Sequence, residues 1–152
     1  FMWLLLQDRL WCNDRLQRRG WPNSYFCQLC LRNLETSTHL FWDCSFAREI
    51  WLLTARRSGC SSLSSLTGGL TSSAQICQQA INQTSPHNRR AIRSMIIMIL
   101  WEIWNERNDC TFRGATPSYQ RICAKISSNL EQWRLAGAKK LETPFGEMLG
   151  EV

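Results

Sequence analysis

The hydrophobic pattern is clearest in the second half of the chain. From about Asn88 to Phe112, Ile92, Met95, Ile96, Ile99 and Ile103 recur every three or four residues, the stripe of a long amphipathic helix that Gly114 ends. Thr116-Pro117 is a cap and first-turn pair, and Tyr119, Ile122, Ile126, Leu130 and Trp133 follow at helical spacing. The two helices are expected to pack as an antiparallel pair, with Trp101 and Trp104 in the core. The first half is more broken. Residues 1 to 11 are apolar enough for a largely buried helix, and Asn13 is expected to cap a second short helix that Gly20 stops. That helix sets Arg15, Arg18 and Arg19 on one face. Ser45 is expected to cap a helix running to about Arg57, and Ala74 to Gln83 reads as a polar helix before Ser85-Pro86.

Between the two halves, residues 58–73 turn to Ser, Thr and Gly around Gly68-Gly69, which predicts a flexible linker and a domain boundary. The resulting division is a module over 1–57, a linker over 58–73, a helical region over 74–136 and a disordered tail over 137–152. The expected fold class is mainly α, a small CCHC knuckle embedded in short helices and followed by the antiparallel helical pair.

Composition narrows the class. An apolar fraction of 44% and eight Trp exclude a chain that stays unfolded, since such groups offset the entropy of ordering. The net charge is +6, and of the 18 basic residues only Lys125, Lys139 and Lys140 are lysines. Arginine's planar fork suits phosphate, so the balance is compatible with a nucleic-acid partner without requiring one. No acidic residue occurs from Ile50 through Trp101, which leaves Arg89, Arg90 and Arg93 uncompensated. They and Arg15, Arg18 and Arg19 are the candidate phosphate contacts. Phe41 and Trp42 are aromatic candidates, either for stacking on unpaired bases or as apolar cover for a metal turn.

Eight Cys would read as a disulfide framework in a secreted chain. Here the apolar opening has no basic leader and soon meets Asp8 and Arg9, and Met95 to Leu100 is far shorter than the roughly 20 residues of a membrane span. The expectation is an intracellular protein, nuclear or cytoplasmic, with reduced thiols and no membrane contact. Cys12, Cys60, Cys77, Cys110 and Cys123 have no partner at ligand spacing and read as free thiols.

The remaining cysteines carry chemistry. Cys27-Gln28-Leu29-Cys30 is followed after eight residues by His39 and after four more by Cys44, giving C-x2-C-x8-H-x4-C. A two-residue gap lets one tight turn aim both thiolates at a single ion, with turn amides stabilising their charge. His39 and Cys44 are five apart, about 140° around an α-helix, so a helix through His39 must end or bend before Cys44. Four protein ligands close a tetrahedron and leave no position for a reacting water, so the predicted role is one structural Zn²⁺. A redox use of the CxxC lacks the βαβ pattern that would support it.

At these residues the chain resembles the zinc-binding domain that lies C-terminal to the reverse transcriptase of plant LINE-type, non-LTR retrotransposons. The resemblance runs through Phe1-Met2-Trp3-Leu4-Leu5-Leu6, Asn13-Asp14-Arg15-Leu16 with Arg18-Arg19-Gly20, Cys27-x2-Cys30, and Glu35-Thr36-x2-His39-Leu40-Phe41-Trp42-Asp43-Cys44 closing on Ile50-Trp51. A second echo lies in Trp101-Glu102-Ile103-Trp104-Asn105-Glu106-Arg107-Asn108, similar to a tryptophan and Arg-Asn helix that follows this domain. The resemblance implies zinc binding through Cys27, Cys30, His39 and Cys44 and assistance in handling RNA or DNA beside a reverse transcriptase core. No two Asp are adjacent, so the paired-Asp polymerase motif is missing and a non-catalytic segment is expected. The competing expectation is a protein-interaction or folding module that packs on a polymerase core or on itself without touching nucleic acid.

Overall fold

A computed structural model describes residues 1–66 and 72–136. The expected tail and the Gly68-Gly69 centre of the expected linker lie outside the described residues. The architecture is mainly helical: α1 (Met2–Leu6), α2 (Asn13–Arg18), a π turn (His39–Asp43), α3 (Ser45–Ser58), a 3₁₀ turn (Ser61–Leu63), α4 (Ser73–Asn82), α5 (Arg89–Arg113) and α6 (Tyr119–Leu135). Among the described residues there is no strand, only an isolated antiparallel bridge between Phe26 and Leu34. No described helix is long and apolar enough to cross a membrane.

The long helices follow their sequence pattern. Ile92, Met95, Ile96, Ile99 and Ile103 of α5 are all buried, as are Ile122, Ile126 and Leu130 of α6. The pair is antiparallel: Glu106 of α5 binds Ser118 and Arg121 near the start of α6, while Glu102 binds Asn129 further along. The cap of α6 differs from expectation. Ser118 Oγ, one residue beyond Pro117, accepts the Arg121 amide at 3.2 Å. On α4 a full capping box forms between Ser72 and Gln75.

The first half departs more. The opening helix stops at Leu6 because Asp8 adopts φ 51°, with Asp8 N–H donating to Leu5 O and Arg9 N–H to Leu4 O. This is a Schellman closure built on an aspartate, one of the few non-glycine residues that tolerate the left-handed region. Cys12 and not Asn13 is the N-cap of α2, and Cys44 and not Ser45 is the N-cap of α3. Part of the stretch expected to be a flexible linker is packed: Leu63 and Leu66 are buried on either side of the end of the 3₁₀ turn. One continuous apolar cluster includes Leu5, Trp42, Trp51, Leu63, Ile76, Ile99 and Ile126, so it joins the N-terminal elements to α4, α5 and α6. Trp101, expected in the core, is 44% exposed, because it lies at the edge of the stripe and packs one side on Phe1.

Candidate metal centre

Local backbone geometry prepares both halves of the site. Between the bridging residues Phe26 and Leu34, Cys27 N–H donates to Asn33 O and Leu31 N–H to Cys27 O, each at 2.8 Å, which folds Cys27–Cys30 into a knuckle. On the other side Thr36 Oγ1 accepts the His39 amide at 3.0 Å and starts a helical turn. That turn does not continue as an α-helix. Cys44 N–H reaches back to His39 O at 2.7 Å, the i→i+5 bond of a π turn. The wider turn brings residues five apart closer to one face and eases the 140° conflict of an ordinary helix. Cys44 itself is extended, with φ −61° and ψ 129°, as the bend inferred from the spacing requires.

The ligand atoms of Cys27, Cys30, His39 and Cys44 all lie within 4.8 Å of one another. Cys27 Sγ and Cys44 Sγ are 3.8 Å apart, and Cys30 Sγ lies 3.3 Å from His39 Nε2. A tetrahedron with Zn–S bonds of about 2.3 Å has S···S edges of about 3.8 Å, so the fit to zinc is close. Cys27 and Cys44 are buried, while Cys30 and His39 are half-buried.

Charge in the cluster is shared. The hydrogen bond from Cys27, followed by His39 and the Phe46 and Ala47 amides at the start of α3, outweighs burial and holds the Cys44 thiol down at about 4. Its partner Cys27 is pushed far up, first by that same bond and then by burial, against the opposing pull of the Leu29 and Cys30 amides. Burial lowers His39, but its hydrogen bonds to Cys44 and Cys30 win and lift it to about 8. Two sulfurs this close need a shared proton or a cation between them, and three soft donors with one imidazole nitrogen suit Zn²⁺.

Around the donors the same turn builds the core. Trp42 stacks on Trp51 at 5.4 Å and donates from Nε1 to Ser73 Oγ, and Trp51 Nε1 donates to Phe41 O. Both Phe41 and Trp42 are fully buried. Base stacking by Trp42 is therefore corrected: its ring is closed off by the protein, because the π turn directs Leu40, Phe41 and Trp42 inward and leaves Asp43 on the exposed side.

The basic candidates fall in two places. Arg18 pairs with Asp14 along α2, and Arg15 donates to Asp8 O while its guanidinium lies over Trp11, as does that of Arg19. At the start of α5, Arg90 and Arg93 are exposed and Arg89 donates to Thr84 O at 3.3 Å. The remaining five cysteines are free thiols, as expected.

Sequence reasoning missed a buried polar network beside the centre. Glu35, fully buried, accepts three bonds from Arg107, at 2.6 Å from Nη2 and at 3.1 and 3.2 Å from Nε, and a fourth from the Asn13 backbone N–H. Asn13 in turn bonds Ser24 Oγ, Phe26 O and Arg107 Nη2. Thus α5 reaches 72 residues back to clamp the segment between the two ligand pairs. The sequence did carry a signal, since Glu35 and Arg107 both stand in the stretches that bear the resemblance.

A four-donor cluster of this kind defines a closed zinc-type centre in a small helical module. Residues 1–51 match the family described as zinc-binding in reverse transcriptase, a zinc-binding rather than a catalytic domain, and the Cys3His cluster fits one zinc ion. Comparison with curated proteins and with solved structures gives no match.

Proposed function

We propose that this chain is the zinc module of a LINE-type retroelement reverse transcriptase, which assists RNA or DNA binding and performs no catalysis of its own. Cys27, Cys30, His39 and Cys44 hold one structural Zn²⁺, which offsets most of the thiolate charge and ties the knuckle to the π turn. The observation that carries this reading is the convergence of those four donor atoms within 4.8 Å inside the stretch that matches the reverse-transcriptase family. With every donor from the protein, no coordination position is left for a substrate or an attacking water. Nucleic-acid assistance is supported by the +6 charge and the arginine groups at Arg15, Arg18 and Arg19 and at Arg89, Arg90 and Arg93. The test is zinc stoichiometry on purified chain together with oligonucleotide affinity across a salt series. One zinc per chain and an affinity that falls steeply with salt are expected; a metal-free folded chain, or no salt-dependent binding, removes the reading.

A second reading, docking on a polymerase core, is favoured by Trp3 and Trp101, which are 64% and 44% exposed. It predicts that a purified polymerase core protects both rings from oxidation, and unchanged oxidation in the mixture rejects it.

A further inference from the structure

Besides Trp3 and Trp101, two further tryptophans stand outside the core and outside the metal centre. Trp11 and Trp21 stack on each other with centroids 5.2 Å apart and planes 19° from parallel, yet remain 40% and 50% exposed. Arg15 and Arg19 place their guanidinium carbons 5.1 and 5.3 Å from the Trp11 centroid. Surface stacks can simply pin a helix, and one cation over a ring contributes only about 0.5–1 kcal/mol at an exposed site. Here the arrangement exceeds that need, with two cations on one indole and the second indole left half open.

The backbone holds the rings in place. Helix α2 ends in a Schellman closure at Gly20, whose φ of 68° suits glycine, with Trp21 N–H donating to Leu16 O at 3.0 Å. Trp21 is thereby folded back over α2 toward Trp11. Asn23 then fixes the following loop, donating from Nδ2 to Trp21 O and accepting the Tyr25 amide. All residues from Trp21 to Phe26 are exposed, and this loop leads directly into Cys27. Among the described residues neither Arg15 nor Arg19 is ion-paired, and Arg18, with 69% of its side chain exposed, shares only Asp14.

We infer that the Trp11–Trp21 stack with Arg15, Arg18 and Arg19 is a binding platform for single-stranded nucleic acid. This rests on the nucleic-acid reading above and deepens it by naming the face and the strand state. An unpaired base extends the indole stack on the open side of Trp21, and the arginines take the flanking phosphates. A duplex keeps its bases stacked on each other and can offer the arginines its backbone alone, which sets the preference.

The test uses zinc-loaded full chain with fluorescein-labelled twelve-nucleotide single strands, of RNA and of DNA, and the matching duplexes. Trp21→Ala is expected to weaken single-strand binding by about 5- to 100-fold, the range that stacking on one aromatic ring supplies. Trp21→Phe, which keeps a ring, should stay within about threefold, and duplex affinity should hold within about twofold. Zinc content equal to wild type shows that the variants fold. Ultraviolet crosslinking of a 5-iodouracil strand to wild type, mapped by peptide mass, should mark Trp21 without any substitution. Binding that persists unchanged in Trp21→Ala, an equal loss on duplex, crosslinks confined to other residues, or equal displacement by a polyglutamate peptide each overturn the platform while leaving the broader reading standing. No binding by wild type in low salt overturns both.

Discussion

Residues 1–58 contain helices of five and six residues, a knuckle and a π turn before α3, whereas α5 and α6 run for 25 and 17 residues, and α5 buries Met98 and Leu100 in addition to its stripe. Helices shorter than about 12 residues are marginal in water, because nucleation costs more than a few hydrogen bonds return. The long pair is therefore held by burial of its stripes. The short elements share that apolar core through Leu5, Phe41 and Trp42, and depend in addition on groups that converge from distant positions: four metal donors and the Glu35–Arg107–Asn13 network. A region made of short pieces must be fixed by strong directional interactions, and these are also the interactions that one substitution can remove.

Metal removal separates the two regions most widely. Structural zinc contributes about 10–16 kcal/mol of apparent binding energy at neutral pH in small domains, more than the whole stability of most chains this size. Chelation, or Cys44→Ser, is expected to abolish amide hydrogen-exchange protection across residues 25–44 while the centres of α5 and α6 keep theirs. Protection that survives chelation in the knuckle, or collapses uniformly along the chain, would break the comparison.

Legibility in the sequence divides along the same line. The stripe of α5 and the spacing of α6 are periodic signals, and burial of Ile92, Ile99 and Ile126 follows from them. The four donors stood out by spacing, and the bend before Cys44 followed from helix geometry. What stayed hidden were features set by single hydrogen bonds: the Asp8 closure that cuts α1 short, the π turn, and the use of Cys12 and Cys44 as N-caps. Caps are chosen by the whole fold. Asn13 is a strong capper by propensity, but its side chain is spent on Ser24, Phe26 and Arg107, and this takes it one position into the helix. Trp42 and Trp21 show the same limit for function. Trp42 follows Leu40-Phe41 and Trp21 sits in the polar turn Gly20-Trp21-Pro22-Asn23, but only the folded structure shows the first ring closed off and the second stacked on Trp11 with one side open.

The Glu35–Arg107 pair is expected to give the next largest effect, and it tests whether the two regions are independent. Arg107 is 2% exposed and Glu35 fully buried, so removing one partner strands a charge away from water. Arg107→Leu should cost about 3–5 kcal/mol in chemical denaturation, and loosen the 25–44 segment more than the rest of α5. Glu35→Gln combined with Arg107→Leu should recover part of that loss, because the stranded carboxylate is gone. A cost below about 1 kcal/mol for Arg107→Leu would mean that the pair is dispensable and that zinc and the shared apolar core suffice for the N-terminal elements.

The smallest effect is expected within the long pair, where one carboxylate is imperfectly served. Glu102 is 5% exposed on α5, accepts from Asn129 at Oε1, and leaves Oε2 without a hydrogen bond, facing Lys125 at 4.0 Å. Burial pushes its carboxyl up, with Lys125 and Asn129 opposing the shift. Because the folded-state pKa is raised, protonation is easier in the folded than in the unfolded chain. The resulting stability is complete below the unfolded carboxyl value and is lost as pH rises through the folded one. Glu102→Gln, which keeps the shape and removes the charge, should therefore match or slightly exceed wild type at pH 7, by no more than about 1 kcal/mol, with wild type gaining on it as pH falls toward 4. The difference between the two denaturation curves cancels the other carboxylates, including any change at the metal donors. If wild type instead loses ground to the variant on acidification, Lys125 and Asn129 outweigh burial, and the long pair draws on polar partners as the N-terminal region does.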